Sequence, residues 1–243
     1  MRKIVIFLLT CVMLLCLLNV QVTTRKGIDY KVEALKLPLY LKILNFYDRH
    51  FNYKWLVNNI INAKISDREK VMAIFNWTIA NIKEQPESLP VVDDHVWSII
   101  VRGYGASDQF SDVFTTLCNY AGLKAFFARI YNFDNTQKVA FSFVKIANNW
   151  HVFEPHRGVY FLNRENNLAS IADISRGNWI EKKLKDDDRL GGIKFSDYSS
   201  QVASIDYELS HRHSRAALQS PINRFLHMLL GSSNSITPVL TKQ

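Results

Sequence analysis

Cysteine is scarce in this chain. Three occur in 243 residues, and Cys11 and Cys16 both lie in an apolar N-terminal segment, so Cys118 stands alone in the remainder and no internal disulfide can form there. Its place within FTTLCNYAG puts it on the apolar face of a helix, the setting of a buried structural thiol rather than a nucleophile. Runs of one charge are also lacking: the net charge is +8, yet Lys and Arg are spread along the sequence. No RNP-like, zinc-finger or basic-aromatic motif accompanies them, which argues against a nucleic acid partner and for a generally basic surface. Metal-ligand spacing is missing too. His151, Glu154 and His156 come nearest, but strand alternation sends His151 away from the other two and there is no fourth ligand, so neither a metal nor another cofactor is expected. No internal repeat is present.

With 48% apolar and 21% charged residues, the composition is that of a globular protein with length for one sizeable core. The apolar run Ile4 to Val20, preceded by Arg2 and Lys3, is close to the length that crosses a bilayer. Nothing after it reads as Ala-x-Ala, and Thr10 spoils the lipoprotein box before Cys11. Residues 1–24 are therefore expected to be a signal anchor or signal peptide that engages the membrane. Basic residues on both sides, Arg2/Lys3 and Arg25/Lys26, orient it weakly, with the N-terminus inside and the soluble domain extracytoplasmic.

Residues 25–65 read as a helical extension, mostly helical from Asp29 onward, with Pro38 as an early boundary. SDREKVMAIFNWTIANIK opens with a capping box, Ser66 with Glu69, and sets Val71, Ile74, Phe75, Thr78, Ile79 and Ile82 along one face of a helix. EQPESLP breaks it. VVDDHVWSIIVRGYG then leads through a glycine turn into a helix from Ser107 to Ala121, stopped by Gly122. LKAFFARIYN, KVAFSFVKIAN and NWHVFEPHRGVYF follow as β-rich runs separated by turns, an antiparallel meander. Helices followed by a sheet indicate an α+β fold. Residues 183–243 form a charged loop, a short helix in SPINRFLHMLL and a flexible tail; Asn178 to Ser200 as a whole reads as a solvated helix end and loop.

A nucleophile at a helix N-terminus after a glycine-rich turn gains from unpaired N–H groups and the helix dipole, with a base supplied by one neighbouring strand and an orienting carboxylate by the next. In this layout Gly103-Tyr104-Gly105 and Asp108-Gln109 form the turn, TTLCNYAGLKAFFARIY the helix and first strand, and FVKIANNWHVFEPHRGVYF the hairpin. Together, from about Val92 to Ser175, they resemble the transglutaminase-like superfamily, in particular bacterial members with a Gly-Tyr-Gly-x-Cys-Asp-Gln turn. The resemblance implies a papain-like core over residues 66–182, a Cys-His-Asp triad, and a role in envelope or exopolysaccharide processes. Each triad position departs from the family: Ser107 stands for the cysteine, Val139 for the histidine and Glu154 for the aspartate. Glutamate can still orient a base, but valine accepts no proton, and a serine hydroxyl without a base is a poor nucleophile at neutral pH. Losing a triad's base costs on the order of a thousand-fold or more in rate.

The expectation is thus a membrane-anchored binding or scaffold module with a groove, lined by Tyr104, Asp108, Gln109 and Trp150, that takes a peptide or glycan. The alternative is a hydrolase or acyl-transfer enzyme that uses Ser107 with a relocated base, His95 or His156; the latter shares a face with Glu154 if the strand stays regular beyond Pro155. Ser107 before Asp108 also fits a plain helix N-cap. Asp93 and Asp94 point apart on an extended segment, a poor arrangement for paired-carboxylate chemistry.

Overall fold

Polar N-caps and glycine stops divide the first half of the chain, and alternation takes over after Gly122. The computed structural model describes residues 2–28, 31–61, 65–90, 93, 95–184 and 193–230. Helix α1 (Arg2–Leu18) has no buried residue. It ends where the Asn19 side chain donates to the Leu15 carbonyl, and a hairpin of β1 (Gln21–Ile28) and β2 (Lys31–Pro38) follows. Seventeen residues span ~26 Å, short of the ~30 Å hydrocarbon core. No helix among the described residues is long and apolar enough to cross a membrane. Residues 21–28 and 31–38 thus pair as strands where helix was expected from Asp29, and Pro38 ends the second strand and opens α2 (Leu39–Ile60).

Helix α3 (Asp67–Asn81) starts as expected: the Ser66 Oγ accepts the Glu69 N–H while the Ser66 N–H donates to the Glu69 carboxylate. Its buried side carries Val71, Ile74, Phe75 and Thr78. Three short elements follow, β3 (Lys83–Glu84), α4 (Val96–Arg102) and β4 (Tyr104–Gly105), with β3 parallel to β4. Gly103, at φ 74°, terminates α4 in the left-handed conformation. Helix α5 (Ser107–Tyr120) then runs through the centre of the molecule with ten buried residues, Cys118 among them.

A five-stranded antiparallel sheet follows in sequence order: β5 (Ala125–Tyr131), β6 (Lys138–Ile146), β7 (Asn149–Glu154), β8 (Val159–Leu162) and β9 (Ile180–Lys183), with α6 (Ile171–Ser175) between the last two. The meander is as expected, but β9 falls in a segment expected to be helix end and loop. As the sheet's edge, its Glu181, Lys182 and Lys183 blunt further strand pairing, and that charge hides the strand in the sequence. One sheet face packs on α5, where Phe75 meets Phe114 edge to face and Phe153 packs at a tilt against both. The other face, with Phe126, Phe141, Phe143, Trp150 and Val152, is covered by α6, a 3₁₀ turn (Phe195–Tyr198), α7 (Ser199–Ala203) and α8 (Tyr207–Arg212). A second 3₁₀ turn (Ala217–Gln219) leads to α9 (Pro221–Leu230), the expected short helix. Asp94, Gly191 and the expected tail beyond residue 230 lie outside the described residues.

Candidate functional site

The turn before α5 is held by one buried amide. The Gln109 Oε1 accepts the Ala106 N–H at 3.1 Å and an Arg102 guanidinium N–H at 2.8 Å, while its Nε2 donates to the Asp93 carbonyl at 3.3 Å. Arg102 also donates to the carbonyls of Tyr104 and Asp93, both at 2.8 Å, and lies 5.6 Å above the Tyr104 ring. Gly105 is required by this close approach, since an added Cβ would stand 2.8 Å from the Gln109 Oε1. Ala106, not Ser107, is the N-cap; Ser107 occupies the first helical position with an exposed side chain, which corrects the capping expectation. Asp108 is drawn to Arg129 of β5 by an ion pair across the helix–sheet seam.

Strand alternation decides what faces α5. The Ser111 hydroxyl donates to the Ala140 carbonyl, Ser142 pairs with Phe153, and Phe153 packs on Phe114 of α5. Val139 sits instead in the apolar cluster of the opposite face with Ile130 and Phe141, and is 5% exposed. Glu154 also points to that opposite side, where the Arg157 N–H donates to its carboxylate at 2.8 Å. Burial pushes the Glu154 carboxyl up to about 7, against the opposing pull of Arg157. Trp150 likewise belongs to the far face, stacked on Tyr207 of α8 with Lys145 above it. Tyr104, Asp108 and Gln109 therefore gather around the turn, and Trp150 does not join them.

Of the two histidines considered as relocated bases, His95 stands at the N-cap of α4, its N–H donating to the Asp93 carboxylate. His156 does not share Glu154's face: β7 ends at Glu154, and the following turn swings the imidazole against Phe110 of α5, with ring centres 5.1 Å apart. There its Nε2 lies 3.3 Å from a Glu84 carboxylate oxygen. Glu84 on β3 pairs alongside Gly105, two residues before Ser107. Sequence reasoning missed Glu84, because KEQPESLP reads locally as a helix break and the β3–β4 bridge is a tertiary event. Arg102, directly before the Gly-Tyr-Gly turn, had a local signal that went unused.

His151 faces away from Glu154, as alternation requires. Its Nδ1 lies 3.1 Å from the Ala169 carbonyl, and burial lowers its pKa. It lines an open cleft of about 370 Å³ with Arg68, Asn149, Asn163, Asn167 and Asp173, near the end of β6 away from Ser107. Among the described residues, no three His, Cys, Asp or Glu side chains gather as metal ligands. Burial pushes the Cys118 thiol up, the opposite of what a nucleophile needs.

Three solved structures show partial likeness. A candidate cysteine protease from Cytophaga hutchinsonii matches at TM-score 0.39 and 19% identity over 58% of this chain and 51% of its own. A candidate protease from Parabacteroides distasonis matches at TM-score 0.37 and 10% identity, over 55% of this chain and 35% of its own. A protein called a TGase matches at TM-score 0.36 and 14% identity, over 72% and 50%. The chain thus spans about half or less of the length of each. No curated protein matches the sequence. The family model of the transglutaminase-like superfamily matches residues 54–160, from α2 to β8, a span that contains the turn, α5 and the hairpin described above. Over those residues, less than half of the chain, the sequence is similar to the transglutaminase-like superfamily.

Proposed function

We propose that this transglutaminase-like domain works by binding rather than by catalysis, holding a peptide or glycan at the cell envelope. The observation that carries the reading is Val139, the residue that the resemblance puts in the base's place: its side chain is aliphatic, packed among apolar neighbours and turned away from α5. A hydroxyl at Ser107 then has the favourable end of a helix dipole but no proton acceptor from the expected strand. The apolar segment from Ile4 onward, preceded by Arg2 and Lys3, supports attachment to a membrane with the domain on the extracytoplasmic side. No cofactor is needed for this role.

One observation favours a second reading, a serine hydrolase or acyl-transfer enzyme. His156 has a carboxylate partner in Glu84 and touches Phe110, which lies one turn beyond Ser107 on the same side of α5. A fluorophosphonate probe separates the two. For the binding reading, neither the wild type nor Ser107→Ala is labelled while both stay folded. Labelling that is lost in Ser107→Ala and again in His156→Ala would instead establish a rebuilt nucleophile and base.

A further inference from the structure

Helix α2 is apolar on two opposite sides. Tyr53 and Val57 are buried against the core. Directly across the helix, at spacings of three and four, run Tyr40, Leu44, Tyr47, Phe51 and Trp55, all exposed, with Phe51 at 62% and Trp55 at 66%. The stripe is ~23 Å long at the helical rise. A helix whose outward side is as apolar as its inward side belongs against something other than water. Helix α9 lies beside it, with Arg224 over the Phe46 ring at 5.3 Å and with Ile222, Phe225 and Leu226 exposed.

We propose that this side of α2 docks on an anionic lipid bilayer, lying in the interface rather than crossing it. Three features select lipid as the occupant. Tyr and Trp carry an apolar body and a polar tip, the combination that partitions to the headgroup boundary. The stripe starts where the chain returns from α1: no residue of α1 is buried, the Leu39 N–H donates to the Val20 carbonyl, and the Lys42 ammonium donates to the Thr23 carbonyl at 2.9 Å. Charge is the third. Residues 1–65 hold ten Lys and Arg against three Asp and Glu, whereas the remaining residues hold twenty against nineteen, so almost the whole excess positive charge belongs to the stretch of sequence that carries this surface. A second copy of the chain would set that charge against itself, while phosphate headgroups neutralise it. The proposal rests on the membrane attachment proposed above, and it adds that the domain is held flat on the surface along α2 instead of hanging from α1.

The test uses the full chain with phosphatidylcholine–phosphatidylglycerol vesicles whose acyl chains carry bromine. The emission of Trp55 is taken as the difference between the wild type and Trp55→Phe. Docking predicts that this emission shifts to the blue and is mostly lost to bromine quenching. Phe51→Ser with Tyr47→Ser, both exposed and thus neutral to folding, should remove the quenching while the chain still floats with the vesicles. Flotation with unquenched Trp55 would overturn the proposal and leave α1 attachment standing. If nothing floats, attachment and docking both fall. A blue-shifted Trp55 in a dimer without vesicles would assign the stripe to a second copy and likewise overturn it.

Discussion

An added methyl group on Gly105 would meet the Gln109 Oε1 at 2.8 Å, the Gln109 Cβ at 3.0 Å and the Ile99 side chain at 3.3 Å. Gln109 cannot move aside without releasing the Arg102 guanidinium and the Ala106 N–H that it satisfies. Gly105→Ala is therefore expected to cost ~1–3 kcal/mol, seen as a lower urea midpoint at unchanged slope. Glu154 gives a second prediction at this scale. Its folded carboxyl titrates near 7, above the unfolded value near 4.5, so between those values the folded chain holds more protons than the unfolded one. Stability is complete below about pH 4.5 for this group, and falls as pH rises toward 7, by up to ~3 kcal/mol. Glu154→Gln should flatten that slope in melts taken across the range; an unchanged slope would assign it to another group. Neither effect is written locally: the sequence shows a Gly before a helix and a Glu before a Pro, and only the packing makes one a contact point and the other a buried acid.

At the scale of elements, the helix–sheet seam is fixed by Phe153 between Phe75 and Phe114. Phe153→Ala would open a cavity at the centre of this seam and should cost ~3–5 kcal/mol by denaturant unfolding, whatever ligand the domain binds. The strongly periodic elements were legible. The Ser66–Glu69 box located α3, the apolar spacing and Gly122 located α5, and alternation located β5 to β8. The elements that escaped are short or charged. Helix α4 has seven residues and is bounded by tertiary hydrogen bonds from Arg102, while β9 is an edge strand whose polar residues mimic a loop. Strands β1 and β2 escaped because they pair with each other and not with the five-stranded sheet.

For the whole molecule, the layers set what each histidine can do. His151 is held between the sheet and the α6 loop, His211 reaches Asn119 at 3.0 Å, and His156 alone of these meets α5 near its N-terminal turn. By itself the sequence determined the α+β class, the order of helices before sheet and the turn at Gly103–Gly105. Those follow from periodicity, caps and spacing, which are properties of neighbours along the chain. Tertiary structure alone decided that Val139 and Glu154 lie on the face away from α5, that Glu84 meets His156 from a strand 72 residues earlier, and that the outer side of α2 is left uncovered. The reason is physical: strand register, the end of β7 at Pro155 and the choice of which helix face is buried are set by contacts between segments distant in sequence, and no local pattern encodes them.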